Sequence, residues 1–267
     1  MKRTMTAATR KGRMRRILAP DGRTLIVAMD HLSKLGRSVR MCNTGAIMRE
    51  IRSAGADAVL LRPGLALRAT EDLDRLGLVL SIGQGSHAPH ASVELALRIG
   101  ADAIKIEAFP GSPLLPSPTE TFGPIVAACE RWGLPLVAEM IPVSFEDTAA
   151  HTPEAIADVT RMGSDLGADI VKTKYTGDAR SFAVVTALAE APVVVLGGVS
   201  GSPTELFSMV RSALDVGASG AAVGRGIWQS ENPGRLVAAL ARLIHDDISA
   251  EEAAAGLTRV SVAVGPR

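Results

Sequence analysis

The sequence predicts an α/β fold, a single-domain (β/α)8 TIM barrel, and three observations carry that expectation. The chain is 267 residues long, and about 250 residues is typical of one eightfold barrel. Short unbroken apolar runs alternate eight times with amphipathic stretches, as expected of parallel strands covered on both faces. Ahead of several runs the same tripeptide recurs: Gly55-Ala56-Asp57, Gly100-Ala101-Asp102 and Gly167-Ala168-Asp169, with a degenerate Gly217-Ala218-Ser219. A glycine there can close the preceding helix in a left-handed conformation, so each copy marks the helix-to-strand joint of a βα unit.

The predicted strands are 24–30, 58–61, 78–82, 103–107, 134–140, 170–174, 193–196 and 221–223. The predicted helices are 44–54, 65–76, 91–99, 119–132, 153–166, 181–190, 203–216 and 233–246. Pro153, Pro203 and Pro233 each fall in a first helical turn, where the missing N–H does no harm. This gives an N-terminal extension over 1–23, a barrel over 24–250 and a tail over 251–267. The extension is basic from Lys2 to Arg16 and is expected to form a surface helix or arm, with an oligomer contact as the alternative. No apolar core follows it, so it does not read as a secretory signal.

Apolar residues make up 47% of the chain but aromatic residues only 3%, so the core is expected to be aliphatic. The net charge of +1 argues against nucleic-acid or membrane-surface binding, and no apolar run reaches the ~18 residues of a membrane span. Cys42 and Cys129 fit no metal spacing and read as free thiols of a reducing, cytoplasmic compartment.

Barrel chemistry sits at the C-terminal strand ends. Lys172 stands near the end of the strand at 170–174, where a buried strand would carry an aliphatic residue. Burial disfavours the ammonium, and a neutral amine can condense with a carbonyl; a solvated lysine at the strand mouth is the competing account. Lys105 has the same offset from its joint glycine, which makes it the rival amine, a partner of Lys172, or a lysine paired with Glu107 on its own strand face. Glu139 interrupts an apolar strand end. Burial would raise its pKa toward an acid–base range, unless it forms a salt bridge with Lys172 or Lys105. Asp30 and His31 end the first strand and could move protons, although Asp30 could instead cap a turn and His31 could face away. Arg62 either holds an anion or faces water. His87 and His90 lack neighbours of ligand type, so no metal is expected. The final two strands run into Gly197-Gly198 and Gly224-Arg225. Glycines let backbone N–H groups approach an anion, arginine adds a charged fork, and the loops after strands seven and eight are a recurrent phosphate site.

Together the segments 23–31, 167–178, Gly197-Gly198 and 222–229 resemble the archaeal-type class I aldolases. That family includes fructose-bisphosphate aldolase and C7-amino-sugar acid synthases such as 2-amino-3,7-dideoxy-D-threo-hept-6-ulosonate synthase. The resemblance implies that Lys172 is the Schiff-base lysine, that Asp30 is the strand-one acid, and that Gly198, Gly224 and Arg225 contact phosphate. It also implies a phosphorylated sugar or keto substrate, no cofactor, and homo-oligomers of five or ten subunits. Departures from the pattern are plain. The family's Tyr-Pro-Arg-Gly after strand five is Ile141-Pro142-Val143-Ser144 here, without the proton-transfer tyrosine. Its Gly-Gly-Pro-Lys is Gly197-Gly198-Val199-Ser200, and its Asp-His-Gly is Asp30-His31-Leu32. Glu139, with Asp30, is the expected replacement for the tyrosine. The expected reaction makes or breaks a C–C bond on a dihydroxyacetone-phosphate-type donor. Transaldol or acyl transfer on the same lysine, a non-catalytic phosphosugar-binding barrel, and an imine-free isomerase or lyase using Asp30 and Glu139 are the alternatives.

Overall fold

The computed structural model describes residues 11–30, 44–83, 88–197, 201–228 and 230–258. His31, Cys42, His87 and Gly198 lie outside the described residues.

Eight parallel strands close into a barrel in sequence order. They are β1 (Thr24–Ala28), β2 (Ala58–Leu61), β3 (Gly77–Ser81), β4 (Ala103–Ala108), β5 (Leu136–Met140), β6 (Ile170–Thr173), β7 (Val193–Leu196) and β8 (Gly220–Val223). β1 pairs with β8 as well as with β2, which seals the cylinder. The surrounding helices are α1 (Thr44–Ser53), α2 (Pro63–Leu73), α3 (Pro89–Arg98), α4 (Pro118–Trp132), α5 (Pro153–Asp165), α6 (Ala179–Leu188), α7 (Pro203–Asp215), α8 (Arg225–Trp228), α9 (Pro233–His245) and α10 (Ala250–Thr258). The expected elements are all present, with ends shifted by a few residues. α8 and α10 are additional, in stretches read as loop and tail. β1 and β6 stop short of the expected ends, so Asp30 and Lys174 stand above the sheet at its mouth. Among the described residues no helix is long and apolar enough to cross a membrane.

The joint glycines Gly55, Gly100, Gly167 and Gly217 have φ of 95°, 72°, 105° and 102°, the left-handed geometry in which a Cβ is strained. The aspartates that follow have a role the sequence did not reveal. Asp57 accepts the N–H of Leu25 at 2.6 Å, Asp102 that of Leu78 at 3.0 Å and Asp169 that of Leu136 at 2.8 Å. Each therefore satisfies a backbone donor on the strand preceding its own, at a level where the ladder would leave it unpaired.

Residues 1–10 of the basic extension lie outside the described residues, but residues 11–18 correct the expectation of a surface helix or arm. Gly12–Arg16 forms a short 3-10 helix. Met14, Ile17 and Leu18 are buried in one cluster with the inward-facing Ile26, Ala58, Val79, Ala103, Val137, Ile170 and Val194, so this segment closes the barrel floor. Its basic residues are turned to the same use: Lys11 pairs with Asp169 at 2.8 Å, and Arg16 with Asp102 at 3.2 Å.

Above this aliphatic floor the interior changes character. Inward positions recur every second residue along each strand. The register aligns Lys105 with Ser81 and Val137, and Glu139 with both Glu107 and Lys172. The same alternation that buries Ile104 and Ile106 against the helices therefore turns Lys105 and Glu107 into the barrel.

Candidate active site

The upper barrel holds a compact charged cluster. Lys105 is 0% exposed and Lys172 1%, with Asp30 and Glu139 each 3% exposed. The Lys105 Nζ donates to Asp30 Oδ2 at 3.0 Å and to Glu107 Oε1 at 2.9 Å, and closely contacts Glu139 Oε2. The other Glu139 oxygen, Oε1, lies 2.9 Å from the Lys172 Nζ. Glu139 thus bridges the two lysines. Ser81 Oγ donates to Asp30 Oδ2 at 2.9 Å, and Arg62 Nε to the Asp30 carbonyl at 2.9 Å, with Arg62 Nη2 3.6 Å from Glu107 Oε1.

Charge explains this geometry. Burial alone would pull Lys105 down, but Glu139, Asp30 and Glu107 together outweigh it and raise its pKa above the ordinary lysine value. Burial would likewise raise Glu139, yet Lys105 and Lys172 hold it below the usual carboxylate range. This corrects the sequence expectation of a raised Glu139. Two cations within contact distance defeat desolvation, and the salt-bridge reading holds for both lysines at once. Ligand oxygens of Asp30, Glu107 and Glu139 come within 4.8 Å of one another, a spacing at which a cation could be shared. The Lys105 ammonium contacts all three, so it supplies that positive charge from within the chain.

A cavity of about 810 Å³ opens above the cluster, within the usual size range for a small-molecule site. Lys172, Asp30, Glu139 and Glu107 line it, whereas Lys105 is not among its lining residues. The two rival amines are thereby distinguished: Lys172 faces the space a ligand can occupy, and Lys105 lies beneath it. Gly197, Gly224 and Arg225 line the same cavity. A Cβ on Gly197 would lie 2.8 Å from Val223 Cγ2, so the approach of β7 to β8 already demands a glycine there. Among the described residues Arg225 has no hydrogen-bond or ion-pair partner, and it opens α8 at the cavity edge.

Most of the residues singled out from the sequence therefore meet in one place: Asp30, Lys105, Glu139 and Lys172 at the core, and Gly197, Gly224 and Arg225 at the rim. His90 is exposed and is not among the residues lining the cavity. Ile141, in the place of the family tyrosine, is fully buried. The chain's one tyrosine, Tyr175, also lines the cavity, with its hydroxyl paired to Ser212 Oγ on α7 at 2.6 Å. Sequence reasoning missed Ser81, whose signal was a polar residue ending an apolar strand. It also missed His151, which gave no signal, and Lys174.

Comparison with known proteins accords with this geometry. The sequence matches the DeoC/LacD family aldolase over residues 24–230. It is 34% identical over 253 residues to 2-amino-3,7-dideoxy-D-threo-hept-6-ulosonate synthase 1 of Archaeoglobus fulgidus, covering 91% of this chain and 94% of that one. It is 33% identical over 238 residues to the 2-amino-4,5-dihydroxy-6-oxo-7-(phosphonooxy)heptanoate synthase of Streptomyces griseus, covering 85% and 86%. One solved structure, an archaeal fructose-1,6-bisphosphate aldolase with its catalytic lysine covalently bound to the carbinolamine intermediate, superposes with a TM-score of 0.77 at 28% identity, covering 88% of this chain and 98% of that one. A buried barrel lysine facing a roomy cavity, and a match spanning nearly the whole barrel, lead to one conclusion: this chain belongs to the DeoC/LacD family of aldolases.

Proposed function

We propose that the protein is a Schiff-base aldolase acting on a phosphorylated ketose donor, with Lys172 as the nucleophile. One observation carries the assignment: the Lys172 Nζ is buried inside the barrel, lines the cavity, and has a carboxylate oxygen of Glu139 at 2.9 Å. The donor phosphate docks where Gly197, Gly224 and Arg225 meet the cavity. Glu139, kept ionised by its two lysines, accepts a proton from Lys172, and the freed amine adds to the ketone carbon. Protonation of the carbinolamine oxygen expels water and leaves an iminium. That cation is the electron sink, so the reaction requires no metal. Loss of a proton from the adjacent carbon, or cleavage of the bond next to it, gives the enamine, which adds to an aldehyde or picks up a proton. Asp30 and Glu139 move these protons. Lys105 touches no substrate in this scheme; it holds three carboxylates in place.

The relatives' names support the substrate class. The Streptomyces griseus product carries a phosphonooxy group next to a ketone, which is the pattern left when a dihydroxyacetone-phosphate-type enamine adds to an aldehyde. The absent tyrosine at Ile141 favours a second reading, transaldol or acyl transfer on the same imine, which product analysis with aldehyde and thioester acceptors separates. We further propose a cytoplasmic homo-oligomer. The test of the main reading is borohydride reduction in the presence of phosphorylated ketoses, followed by peptide mass spectrometry. An adduct on Lys172 is expected; an adduct on Lys105, or none with any ketose, overturns the assignment.

A further inference from the structure

Two cations line the cavity without a carboxylate within ion-pair distance among the described residues. One is Arg225, at the β8 side. The other is Lys174, which follows Lys172 by two positions, stands just past the end of β6 and lines the same cavity. It is half-buried, and burial lowers its pKa from the ordinary lysine value. Its Nζ lies 2.6 Å from His151 Nδ1, and His151 Nε2 lies 2.7 Å from the carbonyl oxygen of Ser144 in the loop after β5. A carbonyl oxygen only accepts, so Nε2 carries the ring hydrogen and donates it. Nδ1 is then the acceptor and takes a hydrogen from the lysine ammonium. One ammonium donor is fixed by this chain of contacts, and two remain.

The environment of this cation differs from that of its neighbours. Lys105, Lys172 and Arg62 each have a carboxylate within 4 Å. Glu146 lines the same cavity but forms no such pair with Lys174. A partly desolvated ammonium aimed by a neutral ring is a ready partner for an anion supplied by a ligand, because charge-assisted bonds are strong where water is thin.

We propose that Lys174, oriented by His151, seats an anionic oxygen group of the second substrate, a carboxylate or a phosphate, separate from the donor-phosphate seat at the β7 and β8 turns. The proposal rests on the assignment of that seat and of Lys172 given above. An acceptor aldehyde with a charge at its far end is then held by that charge, with its carbonyl left to meet the enamine. Lys174 in this role sets specificity and binding rather than carrying out the chemistry.

The test uses the wild type, Lys174→Met and Lys174→Arg, and its first arm needs no reaction. Calorimetry compares an unreactive alkyl monophosphate with two compounds of the same length carrying a second phosphate or a carboxylate at the far end. The second anion should tighten wild-type binding about tenfold or more. Lys174→Met should abolish that increment and Lys174→Arg should keep most of it. The tighter of the two dianions identifies the group seated. Equal affinity for monoanion and dianion in the wild type, or an increment that survives Lys174→Met, overturns the proposal. In the second arm, kcat/KM is measured for an anionic acceptor aldehyde and an uncharged one of equal length. Lys174→Met should lower only the former, about tenfold and through KM; equal losses on both would assign Lys174 to the chemistry or the fold and overturn the proposal. Borohydride trapping of the wild type by ketose alone reports on Lys172 independently, so failure of the parent reading is seen separately from failure of the second anion seat.

Discussion

Replacing Lys105 by methionine should damage stability far more than replacing Lys172, while leaving imine chemistry in place. Lys105 contacts three carboxylates at zero exposure. Removing one partner of a buried pair costs about 3–5 kcal/mol, and here three acceptors lose the same cation, so about 5 kcal/mol is expected. That is a large share of a typical total of 5–15 kcal/mol. Among the described residues the Lys172 ammonium pairs with Glu139 alone, and Glu139 keeps Lys105 when Lys172 becomes methionine, so that variant should lose about 1–3 kcal/mol. The pH dependence follows. With Lys105 gone, carboxylates whose oxygens lie within 4.8 Å of one another repel by about 4 kcal/mol per pair at an effective dielectric constant near 20, and their pKa values rise. A carboxylate raised in the folded state destabilises it at high pH and releases that penalty as pH falls through the raised value. The Lys105→Met penalty should therefore shrink from about pH 8 to about pH 5. Wild-type Glu139, held low, behaves oppositely: its contribution is present above the unfolded pKa and is lost as pH falls through the folded one.

The assay is urea unfolding of both variants across that pH range, alongside borohydride trapping. Lys105→Met should still trap ketose on Lys172, and Lys172→Met should trap none. A Lys172→Met penalty equal to or larger than that of Lys105→Met would refute the reasoning, as would a Lys105→Met penalty that grows on acidification.

Glu139→Gln should lower kcat about a hundredfold and slow the trapping of ketose on Lys172, measured by single-turnover kinetics. His245 bonds Asp57 at 3.0 Å and Asp21 at 2.7 Å; the Asp57 bond foremost, against burial, pushes its pKa from 6.5 up to about 9. A raised histidine stabilises fully below its unfolded pKa, and this is lost as pH rises from about 6.5 to about 9. His245→Gln should therefore cost about 2 kcal/mol at pH 6, allowing for partial solvent exposure, and little above pH 9.5, by urea unfolding. A Cβ on Gly77 would lie 2.2 Å from the carbonyl oxygen of Arg16. Gly77→Ala should dislodge the floor segment at a cost of about 2 kcal/mol and speed proteolysis at residues 11–18.

The sequence shows what repeats or interrupts a pattern. The glycine joints exposed the βα period, and their shared offset picked out Lys105 and Lys172 together. Glu139 was visible because it breaks an apolar strand. Its pKa direction was not, because that depends on which cations adjoin it, and those come from β4 and β6 through barrel closure. Lys174 was in plain view two residues from Lys172, but its partner His151 is 23 positions away in sequence and meets it only through the fold of the β5–α5 loop. The floor segment was misread because Lys11, Arg13, Arg15 and Arg16 dominate its composition. Its buried members, Met14, Ile17 and Leu18, are few, and the aspartates that neutralise Lys11 and Arg16 belong to the joints of β6 and β4.

Placing a carboxylate against the lysine proposed as the nucleophile looks counterproductive, since an ion pair favours an ammonium over the reactive amine. The account changes when the intermediate is considered. An iminium carries the same single positive charge at the same nitrogen, in a pocket whose counterions are already fixed by Lys105, Ser81 and Arg62. Glu139 Oε1, at 2.9 Å from the resting nitrogen, then faces charge both before condensation and after it, and no solvent must reorganise around a new cation. Such fixed dipoles and charges are worth more in a dry site than in water. Stabilisation common to ammonium and iminium does not accelerate condensation itself. It does favour the iminium over the uncharged carbinolamine from which it forms. In that view Lys105 holds the carboxylates, Glu139 faces the charge and passes protons, and Lys172 alone forms and breaks bonds to carbon.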